Sequence, residues 1–142
     1  MYTGLLHTHS LLRYLILIAL LVVIIKAIIG LTNKQPFTKL DNKLSLYLFI
    51  FTHTQLLVGL ILYFVSPFVK FGSETMSDKA TRYWTVEHVF GMLVAVVLIT
   101  LARSTSKRMT DDAAKHKRMF IFNFVALVVI ITMISLSGRR LF

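Results

Sequence analysis

Apolar residues fall in four uninterrupted blocks, Leu11–Leu31, Leu44–Ser66, Tyr83–Ala102 and Met119–Leu136, separated by polar connections. Each block holds roughly 18–23 residues, and a helix needs about 20 to cross a hydrocarbon core. Apolarity is continuous rather than alternating, which excludes membrane β-strands. Within lipid, a helix bonds its own backbone groups internally. The pattern predicts an all-α membrane protein, a four-transmembrane-helix up-down-up-down bundle forming a single domain over residues 1–142. The expected spans are about 5–31, 43–66, 82–103 and 116–137, and little of the chain is left outside them.

Polar punctuation sets the expected boundaries. Gly30 and Asn33 are stop signals for the first helix. Asp41 is expected to cap the second and Pro67 to end it. The third is expected to begin early, capped by Ser77, with Asp78 in its first turn. Thr110, Asp111 and Asp112 place acids at the start of the fourth, where they favour a helix N-terminus. Tyr83 and Trp84 are expected to lie in an interfacial belt, and Lys26 to snorkel from the end of the first helix. The first block runs longer than a signal-peptide core and no small-residue cleavage site follows it, so it reads as a span.

Composition agrees: 56% of the 142 residues are hydrophobic, above the roughly 45–50% of a soluble domain, and mean hydropathy is +0.75. The formal charge is +10, but the cations flank the apolar blocks, so they read as a topology signal and not as a nucleic-acid surface. Nine of them (Lys34, Lys39, Lys43, Arg103, Lys107, Arg108, Lys115, Lys117 and Arg118) lie in or beside the loops Thr32–Lys43 and Arg103–Arg118. Five lie on the side of the termini. The two basic loops are therefore expected in the cytoplasm and both termini on the outer side. With no cysteine in the chain, disulfides, thiolate metal sites and covalent heme attachment are excluded.

Ionisable groups within spans are costly and commonly functional, which directs attention to the histidines. His9 opens the first span, and His88 lies roughly 7–8 Å inside the third at 1.5 Å per residue. In an up-down bundle these spans are diagonal, so the two imidazoles can converge on one iron from opposite faces of a macrocycle. Gly91 and Ala95 follow His88 on its own helix face and would leave room for a flat ring. Arg13, one turn from His9, suits a heme propionate, and Arg82 could serve a second. His7 competes with His9, but the two are about 200° apart on a helix and cannot both face the core. Deeper in the membrane, His53 and Asn123 could contact a second heme, a quinone head group or each other. Thr52, Gln55 and Gly59 form one stripe, read mainly as a packing seam with interhelical hydrogen bonds. His116, within Lys115-His116-Lys117-Arg118, reads as a solvated residue binding anionic lipid.

Several segments resemble those of known proteins. Leu6-His7-Thr8-His9-Ser10-Leu11-Leu12-Arg13-Tyr14, Phe51-Thr52-His53-Thr54-Gln55-Leu56-Leu57-Val58-Gly59-Leu60, Val86-Glu87-His88 and Lys115-His116-Lys117 resemble the four spans of small bacterial membrane proteins labelled cytochrome B. More distantly, the order His9, then Gln55 and Gly59, then His88 is similar to one half of heme A synthase. In that enzyme, histidines two spans apart hold a heme within each of two four-helix bundles. The resemblance implies a multi-pass protein of the bacterial cytoplasmic membrane with periplasmic termini. It also implies one b-type heme held by His9 and His88, electron transfer in a respiratory or quinone-linked chain, and a larger respiratory or reductase complex or a homodimer as partner.

No dinucleotide, P-loop, zinc-protease or Ser-His-Asp pattern accompanies these residues, so a stand-alone enzyme is not expected. Two other readings remain open: a cofactor-free accessory subunit of a membrane complex, and a small transporter or metal-handling protein that uses the histidines.

Overall fold

The computed structural model describes residues 2–65, 78 and 82–136. Four long helices account for most of them: α1 (Tyr2–Thr32), α2 (Lys39–Val65), α3 (His88–Ser106) and α4 (Asp112–Leu136). A π-helical turn, Tyr83–Glu87, runs directly into α3. All four helices are long and apolar enough to cross a membrane. α1 packs on α2 and α4, and α3 packs on the same two, so α1 and α3 are diagonal.

The helices are apolar on both faces. Leu20, Leu48, Ala95, Ile99, Ala102 and Ala126 are almost wholly buried, and the alanines let neighbouring backbones approach closely. On the outside, Leu11, Ile18, Leu57, Phe64 and Phe90 are each at least 60% exposed. A helix that is hydrophobic all round suits a lipid surround.

Helix ends follow local chemistry, partly by routes other than those expected. Lys34, at φ 53°, is the only non-glycine positive-φ residue among those described. It lets the Gln35 N–H reach back to the Gly30 carbonyl at 2.9 Å, the long bond of a Schellman motif, and Pro36 follows. The stop therefore lies at Lys34. Gly30 instead allows close packing: a Cβ there would stand 2.5 Å from His116 Nε2 and 2.6 Å from its Nδ1. The cap of α2 is Thr38, with Asp41 at the third helical position. The Thr38 N–H donates to Asp41 Oδ2 at 2.9 Å, and the Asp41 N–H to Thr38 Oγ1 at 3.3 Å, a reciprocal box. The other Asp41 oxygen pairs with Lys26 at 3.4 Å, so Lys26 ends on a carboxylate. Asp111 caps α4, accepting the Ala114 N–H at 3.2 Å.

Two expectations are corrected. His116 is 2% exposed, not solvated. It begins the buried stripe His116, Met119, Asn123, Ala126, Ile130 and Ile134, whose three- and four-residue steps mark one helix face. The cations beside it in sequence point other ways. Its Nε2 bonds the Gln35 carbonyl at 3.1 Å and its ring packs on Phe37, which ties the fourth helix to the loop after the first. Tyr83 is also buried, at 5% exposure, and does not lie in an outer belt. Ser66, Pro67, Ser77 and the side chain of Trp84 lie outside the described residues.

Candidate functional site

His88 owes its setting to the π turn that precedes it. Residues five apart lie roughly 140° apart on an α-helix; a turn closed by an i→i+5 bond brings them nearly above one another. The His88 N–H bonds the Tyr83 carbonyl across that wider turn. Two side-chain pairs use the same spacing: Arg82 Nε to Glu87 Oε1 at 2.8 Å, and Tyr83 Oη to His88 Nδ1 at 3.4 Å. The Tyr83 hydroxyl donates its one proton to the Met133 carbonyl on α4 at 2.5 Å. Its lone pairs are then what His88 meets, so Nδ1 is the nitrogen that carries the imidazole proton in this contact. Orientation of a ligating histidine through its second nitrogen has this form.

His9 is held from α2. Gln55 Nε2 donates to the His9 carbonyl at 2.8 Å. One turn further along, Gly59 lies under the ring: a Cβ there would be 3.3 Å from His9 Cε1. The residues of the presumed packing seam thus position a histidine of the neighbouring helix. The ring centroids of His9 and His88 are 6.4 Å apart, at 66° to one another. Metal–imidazole bonds of about 2.0–2.1 Å on opposite sides of one ion, with each ring centre roughly 1.1 Å beyond its nitrogen, give about 6.3 Å. The observed separation is close to that figure.

Around the pair is a cavity of about 160 Å³. Its walls are mostly apolar, including Leu17, Leu56, Met92 and Ile130, and Leu60 and Leu93 are both lining and exposed, so it opens outward between α2 and α3. Arg13 and Gln55 also line it. Arg13 lies against Tyr14, its Nη2 donating to the Tyr14 hydroxyl at 3.0 Å and its guanidinium carbon 4.7 Å from the ring centre. Arg13 Nε and Gln55 Oε1 are buried without a hydrogen-bond partner. Each such group costs about 1–3 kcal/mol. An apolar chamber with a few unsatisfied polar atoms on its wall has the chemistry of a ligand site, and at about 160 Å³ it is smaller than the roughly 300–1,000 Å³ of such sites.

The remaining candidates lie elsewhere. His7 is exposed on the opposite side of α1 from the core. His53 Nδ1 bonds the Phe49 carbonyl at 2.9 Å, its Nε2 is 3.4 Å from Thr100 Oγ1, and its ring stacks on Phe49. Asn123 bonds Met119 Sδ at 3.6 Å. The hydrogen bonds of His53 and Asn123 thus do not join them. Gly91 is absent from the cavity wall; Met133 fills the space a Cβ would occupy there. Arg82 is paired with Glu87. Among the described residues no group of three or more histidine or carboxylate side chains could hold a bare metal ion. An axial pair needs only two, because the macrocycle supplies the other donors.

Tyr83 was missed as a site residue. The signal for it is the five-residue spacing of Tyr83 from His88, matched by Arg82 and Glu87, which a search at helical spacings of three and four passes over. No family model matches the chain, and no curated protein or solved structure does so either.

Proposed function

We propose that the chain is a small b-type cytochrome of the bacterial cytoplasmic membrane, carrying electrons in a respiratory or quinone-linked chain. Its helices would cross up-down-up-down, with both termini periplasmic and the basic loops cytoplasmic. The observation that carries the reading is the 6.4 Å approach of two imidazoles from diagonal helices at the wall of an apolar cavity. The segments that resemble bacterial cytochrome B proteins include both histidines.

His9 and His88 would be the axial pair. A heme held by these two residues would supply one-electron transfer. Tyr83 orients the His88 ring and fixes its tautomer. Gln55 and Gly59 set the height and tilt of His9. Arg13 offers its unpartnered Nε to a propionate, and the apolar walls exclude water. The opening between α2 and α3 would face the bilayer and suits exchange with a lipid-soluble carrier such as a quinone, or with a partner helix in a larger complex or homodimer.

Absorption spectra of the purified protein test this. A reduced-minus-oxidised b-type signal is expected, abolished in His88→Ala and in His9→Ala and retained in His7→Ala and His53→Ala. A protein prepared with its native complement that is colourless and metal-free would sink the proposal and favour a cofactor-free accessory subunit.

A further inference from the structure

At the other end of the bundle from His9, the start of α2, the end of α3 and the start of α4 enclose a second cavity, of about 270 Å³. Three lysines line it, one from each segment: Lys39, Lys107 and Lys115. No carboxylate does. Among the described residues, the ion pairs are Lys26–Asp41 and Arg82–Glu87, and none of the three lysines takes part in them. Asp41 takes Lys26 and Thr38, and Asp111 caps α4.

Two of these cations are badly placed without an anion. Lys39 is the first residue of α2 and Lys115 is in the opening turn of α4. Both positions put positive charge at the positive end of a helix dipole. The cavity is also built to keep its shape. Arg103, 9% exposed, donates through Nη1 to the Asn42 carbonyl at 3.0 Å, to Asn42 Oδ1 at 3.1 Å and to Ser45 Oγ at 2.6 Å. Asn42 and Ser45 are both on the cavity wall. Lys115 is drawn over the Phe37 ring at 5.4 Å, and Phe37 is a lining residue too.

We propose that this cavity binds a single phosphate group, and that in the membrane the phosphate belongs to an anionic lipid. Three lysines from three segments line one cavity that no carboxylate lines, and a phosphate is the anion that such a cluster of donors suits. Leu40, next to Lys39 and 54% exposed, offers apolar surface to an acyl chain. The proposal rests on the membrane reading above but is independent of the heme.

The test uses the full chain, purified in neutral detergent and stripped of lipid. Melting temperature is followed while phosphatidylglycerol, phosphatidylcholine or inorganic phosphate is titrated at constant ionic strength. Phosphatidylglycerol is expected to raise it by several degrees and phosphatidylcholine not to. Lys107→Gln alone should weaken the response roughly fivefold, and Lys39→Gln/Lys107→Gln/Lys115→Gln should abolish it. The control Lys34→Gln/Lys43→Gln/Lys117→Gln removes three exposed lysines that do not line the cavity, and it should stay within about twofold of wild type. Equal weakening in the two triple variants, or no response in wild type, overturns the site. A response to inorganic phosphate with none to phosphatidylglycerol overturns the lipid assignment. If the cavity triple does not fold, Lys107→Gln against Lys117→Gln decides the matter by the same ratio.

Discussion

The two ends of the bundle hold similar polar inventories and use them in opposite ways. At the basic end, Lys26, Asp41, Arg103 and His116 spend most of their polar atoms on one another, on caps and on backbone carbonyls, and the one buried Asp41 oxygen without a hydrogen bond, Oδ1, faces Lys26 at 3.4 Å. At the histidine end, Arg13 and Gln55 keep buried atoms unsatisfied beside an apolar cavity, and two imidazole rings stand with their centroids 6.4 Å apart. A polar group inside a hydrophobic bundle is structural when the protein completes its bonding. It points to a ligand when the protein leaves that bonding incomplete. Polarity by itself therefore does not tell the two apart; completion does.

If that distinction is right, breaking the basic end should lower stability and leave any cofactor spectrum unchanged. The largest effect is expected from Gly30→Ala. The new methyl group would collide with the His116 ring, which is pinned by Phe37 and the Gln35 carbonyl and has nowhere to turn. Overpacking of this kind costs about 1–3 kcal/mol, measured as reversible unfolding in mixed micelles. A spectrum altered as strongly as the stability would break the comparison.

Arg103→Ala comes next. It removes three hydrogen bonds between α3 and α2. Interhelical bonds in membrane bundles average about 0.6 kcal/mol each, so a loss of about 1–2 kcal/mol is expected by the same measurement. Asp41→Ala should cost about 1 kcal/mol, mostly through the capping box. Its partner Lys26 has a side chain 35% exposed, so the ion pair adds little.

How much of this was legible in the sequence follows the same division. Four apolar helices were readable because hydropathy over 18-residue windows is a property of composition, and here the window means run from 1.8 to 2.9. The approach of His9 and His88 was readable as a depth and a diagonal. His116 was misread because its neighbours Lys115, Lys117 and Arg118 dominate a local reading, while its burial depends on a stripe running 18 residues on to Ile134. The role of Gly30 was hidden for a related reason. A glycine near a helix end looks like a stop, and only the approach of a distant helix shows that it is a contact. Tyr83 was out of reach because α-helical spacing was assumed, and a π turn changes which residues share a face.

Tyr83→Phe sharpens the comparison at the other end. It removes the bond to the Met133 carbonyl and the acceptor for His88 Nδ1–H. The stability cost should be about 1 kcal/mol. An imidazole that loses the acceptor for its second nitrogen is a weaker donor to a metal. If His88 is an axial ligand, the oxidised state loses support and the midpoint potential rises. A potential unchanged in Tyr83→Phe would mean that the tyrosine only ties α3 to α4.

The smallest change in stability, and the most discriminating, is expected from Gly59→Ala. The added Cβ would be 3.3 Å from His9 Cε1, close enough to need a shift of a few tenths of an ångström and far enough to permit one. The ring borders a cavity and has somewhere to go, unlike His116 at Gly30, so the stability cost should be below about 1 kcal/mol. The same shift moves His9 relative to His88. If His9 and His88 hold a heme as proposed, the b-type signal should weaken or change its potential while the fold holds. Gly30→Ala and Gly59→Ala are the same substitution at glycines that each seat a histidine of a neighbouring helix. Opposite outcomes, one in stability and the other in the spectrum, are what a structural end and a ligand-binding end require. Matching outcomes would mean that both histidines are packing residues.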